Sequence, residues 1–308
     1  MTRLAAIGEC MLELRHRDAA SLDLGFAGDS FNTALYLARL NPSGRVAVDY
    51  VTALGDDPYS EAMLEAWRAE GVGTGRVARL PGKLPGLYLI RTDDAGERRF
   101  FYFRSAAAAR ELFRDAATLP LLDALPGYDV LYLTAITLSL LDAEARRRLM
   151  AALAAARGAG ALVVFDSNYR PAGWADRAAA RAAIEPVLDL VDMALPTFED
   201  EQALWGDADP APTLARYAGR GIETCVKLGI EGCLLGAGGH VPVPRRLAPV
   251  DTTAAGDAFN AAYLSARLAG QPPRAAASAG HGLAGIVIGY RGAIIPREAM
   301  PPAAPGEE

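Results

Sequence analysis

A loop that opens a helix and carries a carboxylate in its first turn can do phosphate chemistry, and Asp251-Thr252-Thr253-Ala254-Ala255-Gly256-Asp257 reads as such a loop. An extended, Pro-rich run, Val241 to Val250, precedes it, and a helical pattern, Ala258 to Leu268, follows. N–H groups in a helix's first turn lack intrahelical partners and the macrodipole there is positive, so Ala254, Ala255 and Gly256 are backbone positions suited to holding an anion. Asp257, in the same turn, is placed to take a proton from a hydroxyl that attacks a phosphate. Cradle plus base implies phosphoryl transfer. Asp-Thr-Thr also reads as an N-cap run and Gly-Asp as a turn, which would leave a capped helix without catalysis.

Such a loop needs a scaffold, and strand-like runs alternate with helical patterns over most of the chain. Leu4 to Ile7, Val46 to Ala53, Val130 to Leu133, Leu162 to Asp166 and Met193 to Leu195 read as strands. Between and after them, Asn32 to Leu40, Tyr59 to Glu70, Ala143 to Arg157, Asp176 to Leu190 and Glu199 to Leu204 read as helices. Thr224–Leu228 and Cys233–Gly236 read as adjacent strands closed by Gly229 to Gly232. The alternation predicts an α/β fold with a mainly parallel sheet covered by helices on both faces. Ligands in such sheets lie beyond the carboxyl ends of the strands.

Two stretches break the alternation. Cys10 to Phe26 and Gly86 to Phe103 carry period-2 patterns, the second flanking the turn signal Asp93-Asp94-Ala95-Gly96. They predict a small sheet standing off the main one as a lid, formed by about 10–26 and 86–104; an antiparallel extension of the main sheet is the alternative. Phe100 to Phe103 favours the lid, because a hairpin so aromatic needs something to cover. Pro301 to Glu308 reads as a flexible tail on an otherwise single domain.

The chain has 308 residues, 51% hydrophobic and 22% charged, with a net charge of −6. That balance provides no electrostatic footprint for nucleic acid and no basic stripe for a membrane surface. No apolar run reaches transmembrane length, and Met1-Thr2-Arg3 leads straight into a strand. Cys10, Cys225 and Cys233 lack zinc-type pairing and read as reduced, mostly buried thiols of a cytoplasmic protein. His16, His240 and His281 show no metal-ligand spacing. No Gly-x-x-x-x-Gly-Lys-Ser/Thr run occurs, which excludes a P-loop, and no strand-Gly-x-Gly-x-x-Gly-helix unit occurs, which argues against a nicotinamide dehydrogenase.

The segment Asp251 to Asp257 resembles the signature Asp-Thr-x-Gly-Ala-Gly-Asp of the PfkB (ribokinase-like) sugar kinases, with Ala254 in place of the first glycine. Near the N-terminus, Gly25-Phe26-Ala27-Gly28-Asp29-Ser30-Phe31-Asn32 resembles that family's Gly-Gly-x-x-x-Asn segment, with Ala27 for the first glycine. A narrower likeness, to the family's 2-keto-3-deoxygluconate kinases, is carried by several stretches. They are Ile7 to Leu14, Leu84 to Tyr88, Gly96 to Tyr102, Phe165 to Pro171 and Tyr290 to Arg297. Together these span nearly the whole chain.

The resemblance implies a ribokinase-like fold and ATP-dependent phosphorylation of a keto acid's terminal hydroxyl, with Asp257 as base and magnesium on the phosphates. Other sugar kinases of the same fold, for fructose, ribose or a nucleoside, are the alternative. A catalytically dead sensor of a sugar acid is a further one. The likeness places Gly28, Asp29, Asn32, Tyr88, Tyr102, Arg104 and Arg170 on the substrate. The two arginines suit a carboxylate, which a guanidinium grips with two parallel hydrogen bonds. Tyr102 fits hairpin packing equally well, and Arg104 a solvated position. The likeness also places Asn168, Lys227, Gly229, Gly232, Ala254 and Gly256 on ATP; Gly229 and Gly232 also suit a plain hairpin turn.

Magnesium bridges β- and γ-phosphate oxygens in this chemistry. Where the family carries Asn-x-x-Glu near that ion, this chain has Thr197 and Asp200, which leaves Glu199, Asp200 or Glu201 as the acting carboxylate. The partners implied are a small sugar acid and ATP, with a second copy of the chain pairing through the lid as a further possibility.

Overall fold

A computed structural model describes residues 1–18, 20–92 and 98–301. The strands are β1 (Thr2–Ile7), β2 (Met11–His16), β3 (Leu22–Ala27), β4 (Val46–Leu54), β5 (Val77–Arg79), β6 (Leu87–Thr92) and β7 (Arg98–Phe103). They continue with β8 (Val130–Thr134), β9 (Leu162–Asp166), β10 (Met193–Ala194), β11 (Glu223–Lys227), β12 (Cys233–Leu235) and β13 (His240–Val241). Nine form one sheet in the order β13-β12-β11-β10-β9-β8-β1-β4-β5. All pairings from β11 to β5 are parallel, and β12 and β13 close the other edge antiparallel.

Successive residues of the central strands enter two different cores. Leu4 and Ala6 of β1 pack into one, with helices Asp29–Leu40, Pro58–Ala69 and Ala255–Leu268. Ala5 and Ile7 pack into the other, with helices Ala143–Gly158 and Arg177–Leu188. Burial on both faces is why these strands are near-continuous apolar runs such as Val130-Leu131-Tyr132-Leu133. The chain leaves β1 toward β4 on one side and later returns to place β8 on the other. The crevice beyond the carboxyl ends of β1 and β8 is therefore the switch point where such sheets bind ligands.

The remaining four strands form a separate sheet, β3-β2-β6-β7, with β2 parallel to β6 and the two outer pairings antiparallel. It is no extension of the main sheet. Met11, Ala27, Tyr88 and Ile90 pack with Ala293 into a small core of its own. The turn signal at 93–96 and the tail beyond Pro301 lie outside the described residues.

Several elements exceed the sequence expectations: β5, the helix Pro210–Ala218 and the helix Pro273–Val287. Of the run Val241 to Val250 only Val241 is strand, as the end of β13.

Candidate active site

Asp257 stands in the first turn of helix Ala255–Leu268, and no side chain caps that helix start. The alternative reading of Asp-Thr-Thr as a run that caps this helix is not what the structure shows. Asp251 accepts instead from the N–H of Thr253 at 2.7 Å and of Gly292 at 2.9 Å, tying the loop to the C-terminal segment. The first-turn N–H groups form the positive end of that helix. Its N-cap residue, Ala254, lies in the left-handed region at φ 60° and ψ 11°.

A second helix start faces the first. In helix Asp29–Leu40, with Gly28 as N-cap, the Asn32 side chain accepts from the Gly28 N–H at 3.3 Å and donates to Asp257 Oδ2 at 2.8 Å. Asp29 Oδ2 accepts from Thr134 Oγ1 at 2.5 Å, at the end of β8, and from Asn168 Nδ2 at 2.9 Å, beyond β9. Residues distant in sequence are thus locked around the carboxyl ends of β8 and β9.

Beneath Asp257 lies a buried polar cluster that sequence reasoning did not identify. Lys227 Nζ donates to Asp166 Oδ2 at 2.9 Å and Asn260 Oδ1 at 3.0 Å, while Asn260 Nδ2 donates to Asp166 at 2.6 Å and to Tyr132 Oη at 3.1 Å. The one signal available was spacing, since Asn260 follows Asp257 by about a helical turn. Lys227 is therefore an inward anchor whose amine is committed to protein partners. The turn after it does have the expected open backbone: Gly229 and Gly232 take φ of 56° and 101°. A Cβ on Gly232 would lie 2.2 Å from the Val241 carbonyl oxygen, so only glycine fits there.

Burial pushes the Asp257 carboxyl up to about 8, helped by the negative charges of Asp29 and Asp166 and opposed by the Asn32 hydrogen bond and Lys227. An ordinary carboxylate value does not hold for a carboxyl so buried and so close to other acids. Asp29 is raised too, by burial first, against the Thr134 hydrogen bond.

Of the residues expected on the substrate, Tyr88, Tyr102 and Arg104 belong to or follow the small sheet, and Arg170 follows β9 of the main one. The Tyr102 ring packs 5.7 Å from Tyr88, and its hydroxyl, raised by burial, feels Arg104, Arg170 and Asp29. Tyr102 is thus within electrostatic reach of Arg104, Arg170 and Asp29. Tyr88 is not free to meet a substrate: its hydroxyl donates to Glu13 Oε2 and its ring is buried in the small sheet's core. Arg104 is no solvated residue, because its guanidinium pairs with the buried carboxylate of Glu9. Arg170, its side chain 56% exposed, donates to Asp200 Oδ1 at 2.9 Å.

The three candidate magnesium carboxylates separate clearly. Glu201 is fully buried and held by Arg216 and Tyr217, which makes it structural. Asp200 is pushed up to about 6 by burial and is engaged by Arg170. Glu199 is exposed near Gly229. Among the described residues no three acidic, histidine or cysteine side chains converge to hold a metal ion.

A model for the pfkB family of carbohydrate kinases matches residues 1–300. The chain is 43% identical over 306 residues to a 2-dehydro-3-deoxygluconokinase of Escherichia coli (strain K12), covering 97% of this chain and 99% of that protein. It is 44% identical to the 2-dehydro-3-deoxygluconokinase of Dickeya dadantii (strain 3937), covering 97% and 98%. A solved 2-dehydro-3-deoxygluconokinase of Thermotoga maritima superposes with a TM-score of 0.82 at 23% identity, covering 96% of this chain and 94% of that one. With the family model spanning nearly the full length and relatives this similar end to end, the chain belongs to the PfkB family of carbohydrate kinases.

Proposed function

We propose that this kinase transfers the γ-phosphoryl group of ATP to the terminal hydroxyl of 2-keto-3-deoxygluconate (2-dehydro and 2-keto name the same carbonyl), giving 2-keto-3-deoxy-6-phosphogluconate. The observation that carries the reading is Asp257 in the first turn of a helix, held by Asn32, together with a Tyr102 hydroxyl that lies within electrostatic reach of Arg104, Arg170 and Asp29. A keto acid has a carboxylate at one end and a primary hydroxyl at the other. The arginines suit the first and Asp257 suits the second.

As the hydroxyl oxygen bonds to the γ-phosphorus, its proton passes to Asp257 and the bond to the β-phosphate bridging oxygen breaks, releasing ADP. The N–H groups at the Ala254 to Asp257 helix start stabilise the charge on the transferring group. ATP would lie along the Gly229 to Gly232 turn. Magnesium neutralises phosphate charge when bound and is commonly held mainly by phosphates and waters. Glu199 is the exposed carboxylate left to reach those waters.

The small sheet acts as a lid in this reading. Phe101 and Phe103 of its edge strand β7 are 49% and 63% exposed, which supports pairing with a second copy of the chain. A monomer in sedimentation at assay concentration would remove that part.

ADP release measured across a panel of acceptors tests the function. Turnover is expected with 2-keto-3-deoxygluconate, and far less with fructose, ribose or nucleosides, which lack the carboxylate. The galactonate epimer in the same panel reads how the chain treats a single inverted hydroxyl. Transfer to fructose at an equal or higher rate would sink the assignment.

A further inference from the structure

Glu9 follows β1 at its carboxyl end, and Arg104 follows β7, so their ion pair joins the main sheet to the small one. The Glu9 side chain is 1% exposed. Both its oxygens, and Nε and Nη2 of Arg104, are shut off from water without an aligned hydrogen-bond partner among the described residues. A Cβ on Gly86 would come within 2.6 Å of Glu9 Oε1, so the chain closes tightly over the carboxylate. The charged groups that face Glu9 from other elements are Arg104, Arg110 of the turn Ala108–Glu111, and Asp29 at its helix start; the neighbouring titratable groups are Cys10 and Tyr50. Burial raises the proton affinity of Glu9, and Arg104 is the largest influence opposing it.

A buried carboxylate with one close counter-charge is poised. If a second carboxylate comes to the same guanidinium, Glu9 shares its cation with another anion in a space water does not reach. A proton then becomes the cheaper neutraliser. We infer that Glu9 holds the place of the substrate's carboxylate on Arg104 in the empty enzyme and takes a proton from solvent when the keto acid binds. Acid binding is then linked to pH: above the pH at which Glu9 is ionised in the empty site, apparent affinity falls about tenfold per pH unit until the proton is no longer taken up. Glu9 is a positioning residue that acts through Arg104. This inference rests on the reading that Arg104 receives the substrate's carboxylate.

Calorimetric titration of the nucleotide-free enzyme with 2-keto-3-deoxygluconate, in buffers of different ionisation enthalpy between about pH 6 and 8, counts protons on the wild-type protein. Uptake approaching one proton is expected. In Glu9→Gln the uptake should vanish and the affinity become flat with pH, while Asp257→Asn should keep the uptake. Zero uptake by the wild type, with the acid still binding and Arg104→Ala still weakening it, overturns the inference and leaves the functional reading standing. Unchanged acid binding in Arg104→Ala overturns both. Uptake that persists in a folded Glu9→Gln, or is lost in Asp257→Asn, assigns the proton elsewhere and overturns the inference alone.

Discussion

Asn32 Nδ2 donates to Asp257 Oδ2 at 2.8 Å across 225 positions of sequence, joining the first turns of two helices. The bond fixes the carboxyl while leaving its other oxygen for a substrate hydroxyl. It also favours the ionised form, against the burial and the neighbouring acids that raise it. A base held in one rotamer between two polarised helix ends is what phosphoryl transfer from a sugar alcohol requires.

Asp257→Asn should cut turnover by roughly 10²-fold or more, with ATP and acid affinities changed little. Because the carboxyl of the empty site titrates near about 8, the wild-type acid limb of kcat/KM should rise through neutrality toward that value. The stability effect has the opposite sense to a salt-bridged carboxylate. A folded pKa above the unfolded one means the folded state binds the proton more tightly. Stability from this group is present at acid pH and lost as pH rises through about 8. The melting temperature of Asp257→Asn should therefore gain on the wild type as pH rises. Near-normal turnover in the variant would reassign the base, and a melting difference constant with pH would refute the raised titration.

Arg170→Ala should weaken the keto acid well beyond its effect on ATP, because the exposed guanidinium lies within electrostatic reach of Tyr102. Its pairing with Asp200 stabilises the fold little at this exposure. Separate titrations of acid and ATP decide it. Equal losses for both would mean that the arginine only supports the loop after β9.

What the sequence made legible, and what it hid, follows from how far apart the cooperating residues lie. Strands such as Val130-Leu131-Tyr132-Leu133 and the helix Asp29–Leu40 announce themselves in local patterns, and the loop to Asp257 in its residue types. The helix Pro273–Val287 escaped because Gly280, Gly282 and Gly285 interrupt its apolar period. Strand β5, at three residues, is too short to show alternation. The Lys227–Asp166–Asn260 cluster joins positions separated by 61, 33 and 94 residues. No window on the sequence contains it, so Lys227 could be read only through its own turn. The Tyr88 hydroxyl and the Glu9–Arg104 pair were hidden for the same reason.

Ala254 tests the cost of a departure that the sequence did display. It occupies the family's glycine position and keeps glycine's left-handed backbone, at φ 60°, where a Cβ costs about 1–2 kcal/mol. Ala254→Gly relieves that strain but adds freedom to the unfolded chain, worth about 0.4–1 kcal/mol. The balance should favour the variant by up to about 1 kcal/mol in urea denaturation, with turnover preserved. A loss of stability would show that the alanine methyl contributes packing that outweighs its backbone strain.

Lys227→Met removes the cation from a pair whose side chains are only 8% and 4% exposed. It strands the Asp166 carboxylate, so a loss of about 3–5 kcal/mol is expected in denaturant unfolding. Adding Asp166→Asn removes the stranded charge and should return much of that stability, because the penalty lies in the uncompensated ion. The single variant should also move the acid limb of kcat/KM to higher pH. Lys227 lowers the proton affinity of Asp257 and Asp166 raises it, so losing the cation leaves the base more reluctant to ionise. The double variant removes both influences and should bring the limb back. If instead ATP affinity collapsed in Lys227→Met while unfolding stability and the acid limb stayed in place, the amine would have to swing out to the phosphates, and its role as an inward anchor would be wrong.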